Sequence, residues 1–118
     1  MEINKITVEL GGQEFELVLS TLATKHISEK YGGLDKMGKA ITTAAGKDLD
    51  DIMWLLAELI NGGITRENVL KGTQKPLVDA NTLAAITTPG DLVQLREVIP
   101  TVIARDTKRT IKVEPPKN

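Results

Sequence analysis

Catalysis needs converging polar groups, and the residues of this chain that could do chemistry are few. The single histidine, His26, lies in LATKHISEK, and cysteine is absent. One imidazole with no thiol gives no nucleophile–base pair of the usual kinds and no His-rich metal site, so it reads as a boundary histidine on a helix. Asp48, Asp50 and Asp51 could be imagined around magnesium. Adjacent helical positions point in different directions, however, and acids crowded into a first turn are what the positive end of a helix dipole selects. The pairs Gly11-Gly12, Gly32-Gly33 and Gly62-Gly63 lack phosphate-loop spacing and read as turns and helix stops. Lys108, Arg109 and Lys112 are the nearest approach to a nucleic-acid patch. No aromatic lies beside them to stack a base, and cations at a helix C-terminus offset its negative dipole, which is the preferred reading. The residues therefore assign no catalytic, cofactor-binding or metal-ligating role and imply neither a cofactor nor a small-molecule substrate.

Composition bounds the rest. The 118 residues suffice for one modest core. With one Phe, one Tyr and one Trp, that core must rest on aliphatic side chains. A formal net charge of −1 recommends neither nucleic acid nor an acidic membrane as the main partner. The N-terminus has no apolar segment of signal-peptide length, and the apolar stretch IMWLLAELI is about half what a bilayer span requires and carries Glu58.

The elements that would position these residues follow from periodicity. Ile6, Val8 and Leu10 alternate with Thr7 and Glu9, and Phe15, Leu17 and Leu19 alternate with Glu14, Glu16 and Val18 across Gly11-Gly12, which supply the positive φ of a tight hairpin turn. Pairing across the turn sets Val8 opposite Phe15, Ile6 opposite Leu17, and Glu9 unfavourably opposite Glu14. Ser20 or Thr21 caps a first helix that runs to Tyr31, with Leu22, Ile27 and Tyr31 inward, and Gly32-Gly33 ends it. A weaker helix covers residues 34–45 through Leu34, Met37 and Ile41. The strongest helix is KDLDDIMWLLAELINGG, with a stripe of Leu49, Ile52, Met53, Leu56, Leu59 and Ile60, stopped by Asn61-Gly62-Gly63. Residues 65–70 form a short helix capped by Thr65, residues 72–76 a loop, and residues 81–86 another helical turn. Thr88, Pro89 and Asp91 start the last helix, which carries Leu92, Leu95, Ile99, Val102 and Ile103; Pro100 should kink or break it.

The expected architecture is one α+β domain over residues 1–110, an N-terminal β-hairpin followed by a mainly α-helical body, and a flexible, disordered tail over residues 111–118, where Pro115 and Pro116 block both helix and sheet. A domain this small does not bury every apolar group, so Trp54, at the margin of its stripe, and the last helix through Leu92, Leu95 and Ile99 form the expected partner-binding surface.

The order ITVELGGQEFELVLS, EKYGG, KDLDDIMWLLAELI, TTPGDLVQLREV and a basic TKRTIKVE with a Lys-Asn end resembles the tail assembly chaperones of long-tailed, siphovirus-type phages and prophages of Gram-positive bacteria. The resemblance covers nearly the whole chain and rests on architecture and local patterns; Pro100 departs from it. It implies a non-enzymatic protein of the host cytoplasm, absent from the mature virion. Such a protein binds the long helical tape measure protein, keeps it soluble and helps recruit tail tube protein during tail morphogenesis; self-association is compatible with it. It also implies that a programmed ribosomal frameshift commonly extends some chains, for which Lys117-Asn118 permit a slippery codon pair. The alternative from another class is a small nucleic-acid-associated regulator using the basic C-terminal segment.

Overall fold

The computed structural model describes residues 5–43 and 49–108. Asp48, Arg109, Lys112, the two prolines at 115 and 116 and the whole expected tail lie outside them, as do the last two residues of the expected second helix.

Strands β1 (Thr7–Leu10) and β2 (Gln13–Glu16) form an antiparallel hairpin with Thr7 opposite Glu16, Val8 opposite Phe15, Glu9 opposite Glu14 and Leu10 opposite Gln13. Gly11 and Gly12 take φ of 58° and 80°, which a side-chain-bearing residue adopts only with strain. The Leu17 amide donates to the Ile6 carbonyl at 2.9 Å and continues the expected register. Leu10 and Leu17 are buried against the helices, while Ile6, Val8 and Phe15 are covered in part. Val18, expected on the polar side, is buried as well, because its amide donates to the Leu59 carbonyl at 3.0 Å and draws the chain onto a helix.

Helix α1 (Thr21–Tyr31) starts at Ser20, whose hydroxyl accepts from the Ala23 amide at 3.0 Å, and ends at Gly32, left-handed at φ 90°. Ala23 and Ile27 face the core, but Leu22 is 49% exposed, contrary to its expected inward placement. It precedes Ile27 by five residues and so lies about 140° around the helix from it, at ~100° per residue. Helix α2 (Leu34–Thr43) buries Met37.

Helix α3 (Leu49–Lys71) corrects the largest sequence expectation. Asn61-Gly62-Gly63 does not stop it, and residues 65–70 are its last turns rather than a separate helix. The glycines serve packing: a Cβ on Gly62 would stand 2.3 Å from the Val18 carbonyl oxygen, and one on Gly63 2.8 Å from that of Glu16. The chain leaving β2 thus crosses α3 backbone to backbone, where no larger residue fits. The buried stripe of α3 is broader than expected, adding Leu55 and Ala57, whereas Leu49 is exposed.

Residues 72–79 lead into α4 (Ala80–Ile86), which Asp79 caps by accepting from the Thr82 amide at 2.7 Å. Helix α5 (Pro89–Thr107) opens with the expected Thr88–Asp91 capping box and remains helical through Pro100, so the anticipated break does not occur. Pro100 faces solvent, which can hydrate the carbonyl it leaves without a donor, while Leu95, Ile99 and Val102 anchor the opposite side in the core. The last turn of α5 ties back to the segment after β2: Asp106 accepts from the Leu19 amide at 2.8 Å, and Arg105 donates to the Leu17 carbonyl at 3.0 Å and to Asp106 at 2.8 Å. No described helix is long and apolar enough to cross a membrane.

Candidate partner-binding face

Helices α1 and α3 pack antiparallel. The C-terminal residue of α1, Tyr31, meets Asp51 and Trp54 near the start of α3, while Ser20, at the other end of α1, sits beside Gly62. A line of side chains follows the seam between them, with Leu22, His26 and Lys30 from α1 and Trp54, Glu58, Asn61 and Thr65 from α3. Both sets recur at helical spacing of three or four residues, so each is one stripe of its helix.

At the Trp54 end the indole is half-buried and meets the Tyr31 ring edge to face, with centroids 5.8 Å apart and planes at 75°. The Lys30 ammonium stands 5.1 Å from the Trp54 centroid and 5.6 Å from that of Tyr31, within cation–π range. The Tyr31 hydroxyl donates to the Asp51 carboxylate. Burial, then this hydrogen bond and the carboxylate charge, hold the phenol well above its ordinary pKa, so it stays neutral. Asp51 is thereby drawn into an aromatic corner with Tyr31 and Trp54.

Midway along the seam, His26 Nδ1 is hydrogen-bonded to the Glu58 carboxylate, which orients the imidazole along the seam. The pair borders two clefts, one toward Trp54 and Lys30 and the other toward Leu22 and Leu77. No group of three or more potential metal ligands occurs among the described residues.

The far cleft is mainly aliphatic and holds about 70 Å³ between Leu22, Ala23, Gly62, Thr65 and Leu77. Small-molecule sites are typically about 300–1,000 Å³. The adjoining cleft at Trp54, Lys30, His26 and Glu58 is larger, about 450 Å³, and open to solvent; the aliphatic one, being so small, suits one branched aliphatic side chain entering from outside. Leu77 comes from the loop, and Asn61 puts it there. The Asn61 amide group donates to the Val78 carbonyl at 2.8 Å and its oxygen accepts from the Val78 amide at 2.8 Å. Seven residues on, Asn68 makes the same two contacts with Lys75, each at 3.0 Å, and accepts from the Thr73 hydroxyl at 2.7 Å. Two asparagines two helical turns apart therefore hold an extended loop against α3, and Leu77, 60% exposed, projects at the cleft.

Of the contact residues expected from sequence, Trp54 lies on this face and the three from α5 do not. Leu95 and Ile99 are buried, at 1% and 5% exposure, and belong to the core, which corrects their expected place on a surface; Leu92 packs partly against the same core. Lys108 is exposed at the end of α5, and its expected basic companions are outside the described residues. Sequence reasoning missed Leu22 and Leu77. The signal for Leu22 was its four-residue spacing from His26; Leu77 carried none, since its position depends on Asn61. No protein-family model, curated protein or solved structure matches this chain.

Proposed function

We propose that this chain is a non-enzymatic tail assembly chaperone that holds a helical segment of a tape measure protein along the α1–α3 seam and helps recruit tail tube protein during phage tail morphogenesis. The observation that carries the reading is the pairing of two exposed leucines, Leu22 and Leu77, around an aliphatic hole in line with Trp54. Stretches of exposed apolar surface rimmed by polar groups mark protein interaction sites. From Trp54 to Thr65 the stripe runs about 16 Å along α3, at 1.5 Å per residue, or three helical turns. A partner helix laid in such a groove presents anchors at every third or fourth position, matching an aromatic corner, a polar midpoint and an aliphatic hole.

Tube-subunit recruitment and action in the host cytoplasm before the virion matures belong to the same reading and rest on the family resemblance. Co-expression with the tape measure protein encoded nearest this gene tests it. Wild-type chain should co-purify with that protein and keep it in the soluble fraction, whereas Leu22→Asp/Leu77→Asp should leave it insoluble. Equal recovery with both forms would contradict the proposed face.

A further inference from the structure

We infer that β1 is a dimerisation edge on which two copies of this chain join their hairpins into one four-stranded antiparallel sheet. Beyond the tape measure reading, this surface lies on the hairpin rather than on the α1–α3 seam, and it stands on three features of the strand.

The first is the backbone. The bond from Leu17 to Ile6 makes Ile6, Val8 and Leu10 the residues whose amides and carbonyls face β2. The polar backbone groups of Lys5, Thr7 and Glu9 therefore point away from the hairpin. The sheet has two strands, and among the described residues no group hydrogen-bonds to this outward row. An unpaired row of that kind is a template for another strand.

The second is self-complementarity. With Thr7 opposite Thr7 of the second copy on a twofold axis, each Lys5 falls opposite a Glu9 on the solvent face, and each Ile6 falls opposite a Val8 on the apolar face. All three outward-facing residues then become hydrogen-bonded pairs, and opposite charges and Thr–Thr contacts are favourable cross-strand neighbours. A one-residue slip would put charges against apolar groups and leave donors misaligned. Lys5 is exposed and makes no ion pair among the described residues; the nearby Glu67 is held by Lys75 at 3.0 Å.

The third is what the single hairpin leaves unsatisfied. Glu9 stands across from Glu14, a like-charge pair that a neighbouring Lys5 would offset. Ile6 and Val8 are covered only in part, and the second copy would cover them with each other. A closed twofold interface also uses up the β1 edge of both copies, so pairing through β1 ends at two chains.

Sedimentation equilibrium of the full chain, from about 10 μM to about 1 mM to suit so small an interface, tests the edge. The expected result is a concentration-dependent rise from 12.8 kDa toward twice that mass. Thr7→Pro removes an outward donor without touching the ladder to β2 and should abolish the rise, with helical circular dichroism unchanged. Because that variant could fail to fold, charge reversal provides a second arm. Lys5→Glu or Glu9→Lys alone should weaken the dimer at least about tenfold, and the two together should restore it. A chain that stays monomeric throughout overturns the inference. So does a dimer indifferent to Thr7→Pro and to both single reversals, which would place the contact elsewhere, including on the α1–α3 face.

Discussion

Asn61 has two roles that a helix stop could not combine. Its side chain completes the amide and carbonyl of Val78 from mid-helix, and in doing so sets the position of Leu77. Asn61→Ala should therefore lower stability by about 2 kcal/mol, as two half-buried hydrogen bonds are lost, and should raise amide exchange in residues 75–79 while the core stays protected. Asp106 carries a pH dependence. Burial works to raise its pKa, but the Arg105 hydrogen bond, the Leu19 amide and the Arg105 charge outweigh burial and leave it below the ordinary carboxylate value. With a folded pKa below the unfolded one, its contribution is complete above the unfolded value near ~4 and is lost as pH falls through the folded value. Melting temperatures measured from pH 7 to pH 2 should converge for wild type and Asp106→Asn at the acid end, with wild type the more stable at neutral pH.

The hairpin is legible in the sequence to the level of register, because alternating apolar positions and a two-residue Gly-Gly turn allow one pairing in which Val8 meets Phe15. The cap of α5 is equally legible, since Thr88, Pro89 and Asp91 act within one turn. Helix α3 is not. A glycine pair after an apolar stripe is the usual end of a helix, and what overrides that rule is a contact with carbonyls more than forty residues earlier, from Glu16 and Val18. The candidate face was half legible for the same reason: Trp54 was marked by its place at the margin of a stripe, whereas Leu22 was mistaken in phase and Leu77 depends on a long-range clamp. The continuity of α3 makes a sharp prediction. If Gly62 were a left-handed helix stop, Gly62→Ala would cost about 1 kcal/mol from backbone strain alone; as a crossing point inside a continuous helix it should cost about 2 kcal/mol or more, because its Cβ would enter the van der Waals shell of a backbone oxygen that cannot turn aside. Urea denaturation of the purified variant reads the difference directly.

Taken as one molecule, the chain encloses most of its aliphatic residues in a core and leaves others exposed, Leu22 and Leu77 on the α1–α3 face and Leu49, Val69, Leu70 and Val93 outside it. Leu17, Ile27, Leu55, Leu56, Leu59, Leu83 and Leu95 are wholly enclosed, and Leu56→Asp should abolish the folded state, because an unpaired carboxylate there costs several kcal/mol against a total stability of about 5–15 kcal/mol. Leu22 and Leu77 lie on the other side of that division, open to solvent, and changing them should move stability by no more than about 0.5 kcal/mol. This contrast separates loss of binding from loss of fold. The most direct measurement is the affinity of the purified chain for a soluble helical fragment of the tape measure protein, by isothermal titration calorimetry, compared between wild type and Leu22→Asp/Leu77→Asp. The account predicts saturable binding by wild type and at least a hundredfold loss, about 2.7 kcal/mol, in a variant with unchanged melting temperature. Undiminished binding by a correctly folded variant would contradict it.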